Sequence, residues 1–163
     1  MGSKVIPADR ETRQVLDAIR RLVRSLRESS RAAEKRVGLS GAQLFVLQVL
    51  DRSGALSVNE LAAATVTHQS SVSVVVARLV GHGLVSRVQS SGDRRRLELS
   101  LTVKGRKLLR RSPGVAQERL IDGLRRMSST ERRTLAASLV RLVKRMGIEA
   151  AAPSMFFEEP ARG

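Results

Sequence analysis

Three consecutive arginines, Arg94, Arg95 and Arg96, follow Asp93 in a Ser-Ser-Gly-Asp turn that opens at Ser90. Neighbouring guanidinium groups repel one another unless an anion neutralises them, and arginine is the side chain that a narrow DNA minor groove attracts. Between Arg87 and Arg111 nine basic residues stand against only Asp93 and Glu98, a run suited to a phosphate backbone. Upstream, Gln69, Ser70, Ser73, Val74 and Arg78 share one side of a helical pattern whose other side is Val72, Val75, Val76 and Leu79. Small or hydrogen-bonding side chains let a helix enter a major groove, where each base pair shows its own donor and acceptor pattern. There Gln69 suits adenine, Ser70 and Ser73 suit bases or phosphates, Val74 suits a thymine methyl, and Arg78 suits a phosphate. His68, at the head of the same helix, suits a capping or phosphate-contact role.

Other chemistries find no comparable grouping. His68 and His82 are the only histidines, there is no cysteine, and no nearby carboxylate pair accompanies either imidazole, so no metal site is expected. No serine stands with a histidine and a carboxylate in a recognisable nucleophile arrangement. Neither an enzyme nor a cofactor is expected.

The elements that must position these residues can be read from periodicity and caps. Val15, Ile19, Leu22 and Leu26 recur at helical spacing, giving one long amphipathic helix over residues 9–36. Ser40 with Gln43, Ser57 with Glu60 and Ser128 with Glu131 have the spacing at which both side chains satisfy free amides at a helix start. The first opens a helix carrying Leu44, Leu47 and Leu50 that ends near Gly54; the second opens residues 58–64. Thr67 is expected to cap a helix reaching His82, with Gly83 suited to the left-handed position beyond it. Residues 84–89 and 96–101 read as two strands around the arginine turn, a basic wing. Thr102 caps the next helix, which Ser112 and Pro113 kink or restart and which runs to about Met127. Leu135, Leu139, Leu142 and Met146 line the last helix, and Gly147 stops it. In the tail beyond, Phe156 and Phe157 are either frayed or, the preferred reading, an apolar anchor docking onto a dimer, with Glu158 and Glu159 facing the basic surface.

With 163 residues of which 42 % are hydrophobic, the chain can fill the core of one domain. Its net charge of +15 calls for a polyanionic partner, and it opposes self-association unless a large apolar interface outweighs it. The lack of cysteine, of a secretory segment and of a membrane-spanning run leads to the expectation of a cytoplasmic protein without membrane contact.

At Asp93-Arg94-Arg95, at Leu97-Glu98-Leu99-Ser100-Leu101-Thr102 with Gly105, and at Arg78-Leu79 with Gly83-Leu84-Val85, the sequence resembles the MarR family of winged helix-turn-helix transcriptional regulators. The likeness runs along nearly the whole chain. It implies a mainly α fold with a small two- to three-stranded β wing, forming a single domain over residues 1–163. Helices at 9–36 and 113–147 would dimerise, residues 40–112 would form the winged helix-turn-helix region, and 148–163 would be a tail. It also implies an obligate homodimer straddling a pseudo-palindromic site on double-stranded DNA. Arg95, with Arg94, would enter the minor groove, Asp93 would orient it, and Arg87 and Arg96 would complete the wing. The position of Val74 often holds arginine in the family, so the operator preference of other members does not transfer.

The stripe residues Ile19, Leu22, Leu26, Leu135, Leu139 and Leu142 are the dimer-interface candidates, although each taken alone reads equally well as intrachain core. Relatives commonly answer to a small, often aromatic and anionic effector. With no Tyr, no Trp and three Phe, this chain offers little for stacking, and the candidate pocket is Phe45, Val23 and Leu109 with Arg27 as anion partner. The expected function is a sequence-specific repressor released by a small ligand. The alternative is a nonspecific or architectural nucleic-acid-binding protein, for which the charge alone would suffice.

Overall fold

Asp9 opens the longest helix of the chain: its carboxylate accepts the Thr12 amide at 2.6 Å, and α1 (Arg10–Val37) runs on to a left-handed Gly38. Those hydrogen bonds with Thr12 hold the Asp9 carboxyl below the usual carboxylate range. The computed structural model describes residues 9–90, 97–148 and 153–158. Asp93, Arg94, Arg95, Arg96 and Glu159 lie outside the described residues.

The three capping boxes form where their spacing placed them. Ser40 with Gln43 opens α2 (Gly41–Ser53) and Ser57 with Glu60 opens α3 (Val58–Ala64). Between α3 and a two-stranded wing lies α4 (Gln69–Gly81). The wing pairs β1 (Val85–Gln89) with β2 (Leu97–Leu101) antiparallel, Val85 opposite Leu101 and Gln89 opposite Leu97. Thr102 accepts the Gly105 amide to start α5 (Val103–Leu109), after which come α6 (Ala116–Arg126) and, opened by Ser128 with Glu131, α7 (Ser129–Arg145). The fold class is therefore mainly α with a β wing.

The core is built on α2, whose Leu44, Phe45, Val46, Leu47, Val49 and Leu50 are all buried. Against it pack Leu61, the valine stripe of α4 with Leu79, and Leu84, Val85, Leu99 and Leu101 of the wing base. The α2–α3 connection adds a short third rung to the wing. Leu56 exchanges both backbone hydrogen bonds with Leu99, at 3.1 and 2.7 Å.

One expectation changes and another is narrowed. Pro113 does not kink one continuous helix but is followed by a restart, the second of the two outcomes expected: residues 110–115 separate α5 from α6, and α6 begins at Ala116. A proline has no amide to continue a helix, and the new start is fixed from outside, by Ser29 Oγ accepting the Ala116 amide at 2.9 Å and Gln48 Nε2 donating to the Pro113 carbonyl at 3.3 Å. Nor does Thr67 cap α4. Its amide donates to the Ala62 carbonyl and that of Val66 to Ala63, a pairing that closes the C-terminus of α3, so α4 starts one residue later behind His68.

The same closure recurs after α4, where Gly83 and Leu84 donate to Val80 and Leu79. There the left-handed residue is Gly83, at φ +68°; after α3 it is Val66, at φ +52°. A β-branched residue in that region costs about 1–2 kcal/mol, and with 66 % of its surface exposed Val66 recovers little of this by packing. Val66→Asn is accordingly expected to raise stability by about 1 kcal/mol, read as a rise of roughly 2–4 °C in Tm. A fall in Tm would show that the valine side chain holds the turn.

At the other end of the molecule, Arg132 Nη1 donates to the carbonyls of Leu124, Arg125 and Met127 at 3.2, 3.3 and 2.7 Å, and so fixes the α6–α7 corner. No residue of α7 is buried. Leu135, Leu139, Val140, Leu142, Val143 and Met146 are exposed there, as are Val15, Leu16 and Leu22 of α1. Leu26, by contrast, is only 8 % exposed within its own chain, because it meets α6 where Ala116, Leu120 and Leu124 line the same depression. Its place in the apolar stripe reflects the core. No described helix is long and apolar enough to cross a membrane.

Candidate nucleic-acid interface

The tight turn after α3 sets α4 across the domain, and α4 sorts its own residues by burial. Val72, Val75, Val76 and Leu79 are at most 1 % exposed. Gln69, Ser70, Ser73, Val74 and Ala77 are exposed, leaving a face without bulk and without fixed charge. About three turns of one helix thus supply both the buried anchor and the exposed face. Ser73 Oγ donates to the Gln69 carbonyl at 2.8 Å, so its proton is engaged within the helix while its lone pairs face outward. His68 occupies the cap position, but its side chain makes no capping bond.

Beside α4 the wing leaves the core progressively. Val85, Leu99 and Leu101 are buried at its base, while further out Arg87, Val88, Gln89 and Leu97 are exposed. Arg87 is thus presented on the way to the arginine turn, beyond the point where the strand is packed. At the base of the wing Lys104 Nζ donates to the His82 carbonyl at 2.8 Å, tying α5 to the end of α4.

Arg78 is in a different situation from the residues it was grouped with. It is ion-paired to Glu158, whose side chain is 4 % exposed and also accepts from Ser40 Oγ at 3.4 Å. The tail therefore docks onto the helix-turn-helix of its own chain. Its apolar anchor is Met155, 2 % exposed and part of the core, whereas Phe156 is about half exposed. Phe157, partly buried, turns the chain at φ +59°. The sequence reading has Glu158 facing the basic surface, but no spacing rule could name Arg78, so far away in sequence, as its partner.

The proposed effector residues are not brought together. Phe45 lines a cleft of about 310 Å³ with Val49, Ala64 and Ile121 and with the polar groups of Arg52, Glu118, Asp122 and Arg125. Arg52 and Glu118 pair across it, joining α2 to α6. Val23, Arg27 and Leu109 do not line this cleft; Val23 and Arg27 lie on exposed positions of α1. Among the described residues no group of three His, Cys, Asp or Glu side chains could hold a metal ion.

A helix seated by a short turn, small side chains along its outer face and a projecting β hairpin at its side define a winged helix-turn-helix protein. A sequence model described as the MarR family matches residues 37–96, the stretch from the end of α1 to the wing. Over 68 residues the chain is 40 % identical to the HTH-type transcriptional repressor MdtR of Bacillus subtilis (strain 168), an alignment that covers 42 % of this chain and 44 % of that protein. The match thus spans less than half of that relative's length. Among solved structures, a probable transcriptional regulator from Pseudomonas aeruginosa is 28 % identical with a TM-score of 0.55, covering 82 % of this chain and 99 % of that one. Sco3205 of Streptomyces coelicolor, a MarR family transcriptional regulator solved in complex with DNA, shares the fold at 22 % identity and a TM-score of 0.55, over 94 % of this chain and 99 % of its own. Residues 37–96 of this chain are thus similar to the MarR family, and the chain shares its fold with transcriptional regulators.

Proposed function

We propose that this chain is a homodimeric, sequence-specific DNA-binding repressor that acts in the cytoplasm on an inverted-repeat operator. The observation that carries the reading is α4 itself: a helix locked by a buried valine stripe that offers Gln69, Ser70, Ser73 and Val74 outward, beside an emerging basic wing. Side chains of this size let the helix axis approach base edges, where Gln69 selects adenine and Val74 a thymine methyl. Arg87 and the Asp93 to Arg96 turn supply the phosphate and minor-groove contacts, Arg95 entering the groove with Asp93 orienting it. Dimerisation is supported by the uncovered leucines and valines of α7 and of the first half of α1. A two-fold pair would place its α4 helices on half-sites about 10 bp apart. For an effector, the cleft beside Phe45 is the candidate site, its Arg52 and Arg125 being paired with Glu118 and Asp122 of the same lining.

The test is selection of genomic fragments by the purified protein, followed by competition at fixed salt. A regulator prefers its selected sequence over random duplex by about a thousandfold or more. A ratio near unity would establish the nonspecific, architectural alternative. Arg95→Ala is expected to weaken binding to every sequence and to lower the salt slope by about one. Gln69→Ala or Val74→Ala should instead relax preference at one base pair of each half-site.

A further inference from the structure

The recognition helix already has a ligand. Pro153 accepts a hydrogen bond from Ser71 Oγ at 2.8 Å, Met155 is buried in the core, and Glu158 is held by Arg78 and Ser40. The Glu158 amide closes a turn on the Met155 carbonyl at 3.1 Å. Ser71 and Arg78 are seven residues apart, two turns on one flank of α4, bordering Val74 at the edge of the exposed face. Residues 153–158 therefore run alongside the helix for the length over which it would meet a duplex. From this arrangement we infer that the C-terminal segment is an acidic latch on the recognition helix, a ligand in cis that DNA must displace from Arg78. The inference rests on duplex binding through α4.

The chemistry of the exchange is simple. A guanidinium binds carboxylate and phosphate oxygens with the same donor geometry, so the Glu158 carboxylate stands where a phosphate oxygen would stand. While Glu158 holds Arg78, that arginine contributes no new neutralisation to a passing duplex, and the carboxylate itself repels the phosphates. When a phosphate takes its place, the cation that the phosphate gives up is offset by the cation that the freed Glu158 carboxylate attracts, so Arg78 adds little to the net counterion release. Met155 keeps the segment tethered at the site, so the carboxylate returns each time the duplex leaves. The latch thus lowers affinity and flattens salt dependence for any duplex, leaving base preference to the outer face of α4.

Duplex binding followed by fluorescence anisotropy across a salt series tests this. Glu158→Gln should bind about three- to tenfold more tightly than the unaltered protein near 50 mM salt, with a steeper slope. Arg78→Gln should bind more weakly, and the double variant should match Arg78→Gln alone. Glu11→Gln, in the exposed first turn of α1, controls for the change in net charge. The latch is overturned if Glu158→Gln gains no more than Glu11→Gln, or if its gain persists undiminished in the Arg78→Gln background. Hydrogen exchange on DNA-free protein gives an independent reading: the Glu158 amide should be protected and should lose that protection in Met155→Ala. Full exchange of the segment in the unaltered protein would also overturn the latch. If no variant binds duplex at all, the function proposed above fails, and the exchange experiment alone decides whether the segment is docked.

Discussion

Leu139→Arg is expected to convert the proposed dimer into a monomer while the winged domain stays folded. Helix α7 has seventeen residues, none of them buried in its own chain, and an isolated helix of that length is marginal in water. Leu135, Leu139 and Leu142 line an apolar depression of about 500 Å³ together with Val15 of α1. A chain of charge +15 resists pairing with itself, so the contact that overcomes this must be extensive and apolar. Arginine is the better probe because Arg141 and Arg145 border the same depression and would neutralise an introduced carboxylate. An unpaired buried charge costs about 3–5 kcal/mol, and a two-fold interface contains it twice. The dimer constant should therefore weaken by about ten-thousandfold or more. Sedimentation at micromolar concentration checks the mass, and far-ultraviolet circular dichroism checks the fold, since the buried core includes no α7 residue. A variant that still sediments as a dimer would move the interface elsewhere. Operator affinity should fall with the dimer, because each monomer reaches only one half-site.

Gly105→Ala should be the most damaging Gly→Ala change among the described glycines. A Cβ built at Gly105 would lie 2.2 Å from the Leu84 carbonyl oxygen and 3.3 Å from Leu101 Cδ2. That oxygen is not free to move, since it accepts the Thr102 amide at 3.1 Å and Thr102 Oγ1 at 3.2 Å. Relief requires α5 to lift off the wing base, breaking the bonds that start α5 and exposing Leu84 and Leu101. The overpacking and lost hydrogen bonds outweigh the gain of about 1 kcal/mol that alanine brings to a helix, for a net loss of about 2–4 kcal/mol. Thermal unfolding should show Tm lowered by about 5–15 °C. Gly123→Ala is the matched control. It adds the same methyl to α6 with nothing within 4 Å, and should leave Tm unchanged or slightly raised. Equal effects at the two sites would show that the close approach at Gly105 carries no energetic weight.

What the sequence made legible was local. Capping boxes announce themselves within four residues, and the valine stripe of α4 within two turns, so helix starts and the reading face could be placed from spacing alone. The start of α4 was misplaced by one residue because Thr67 has two possible employers: its hydroxyl suits a cap, but its amide is taken by the end of α3. Leu26 was assigned to the interface because a stripe records that something apolar covers a helix, not which neighbour does. The Phe45 cleft and the Glu158 latch depend on contacts between elements far apart in the chain, and Phe156 drew attention from Met155 because bulk, in a sequence, outranks position.

The rung between Leu56 and Leu99 carries a consequence for any duplex this protein grips. Leu56 directly precedes the cap of α3, so the peptide that positions the helix-turn-helix also holds the wing. Helix and hairpin therefore cannot be re-aimed separately. Under the proposed function, the angle between α4 and the described base of the wing is set in the protein, and a site whose helical phasing does not suit that angle would have to twist or bend to be held. Selection among otherwise equivalent sites then falls to their elasticity, and base steps that the protein never touches enter the choice.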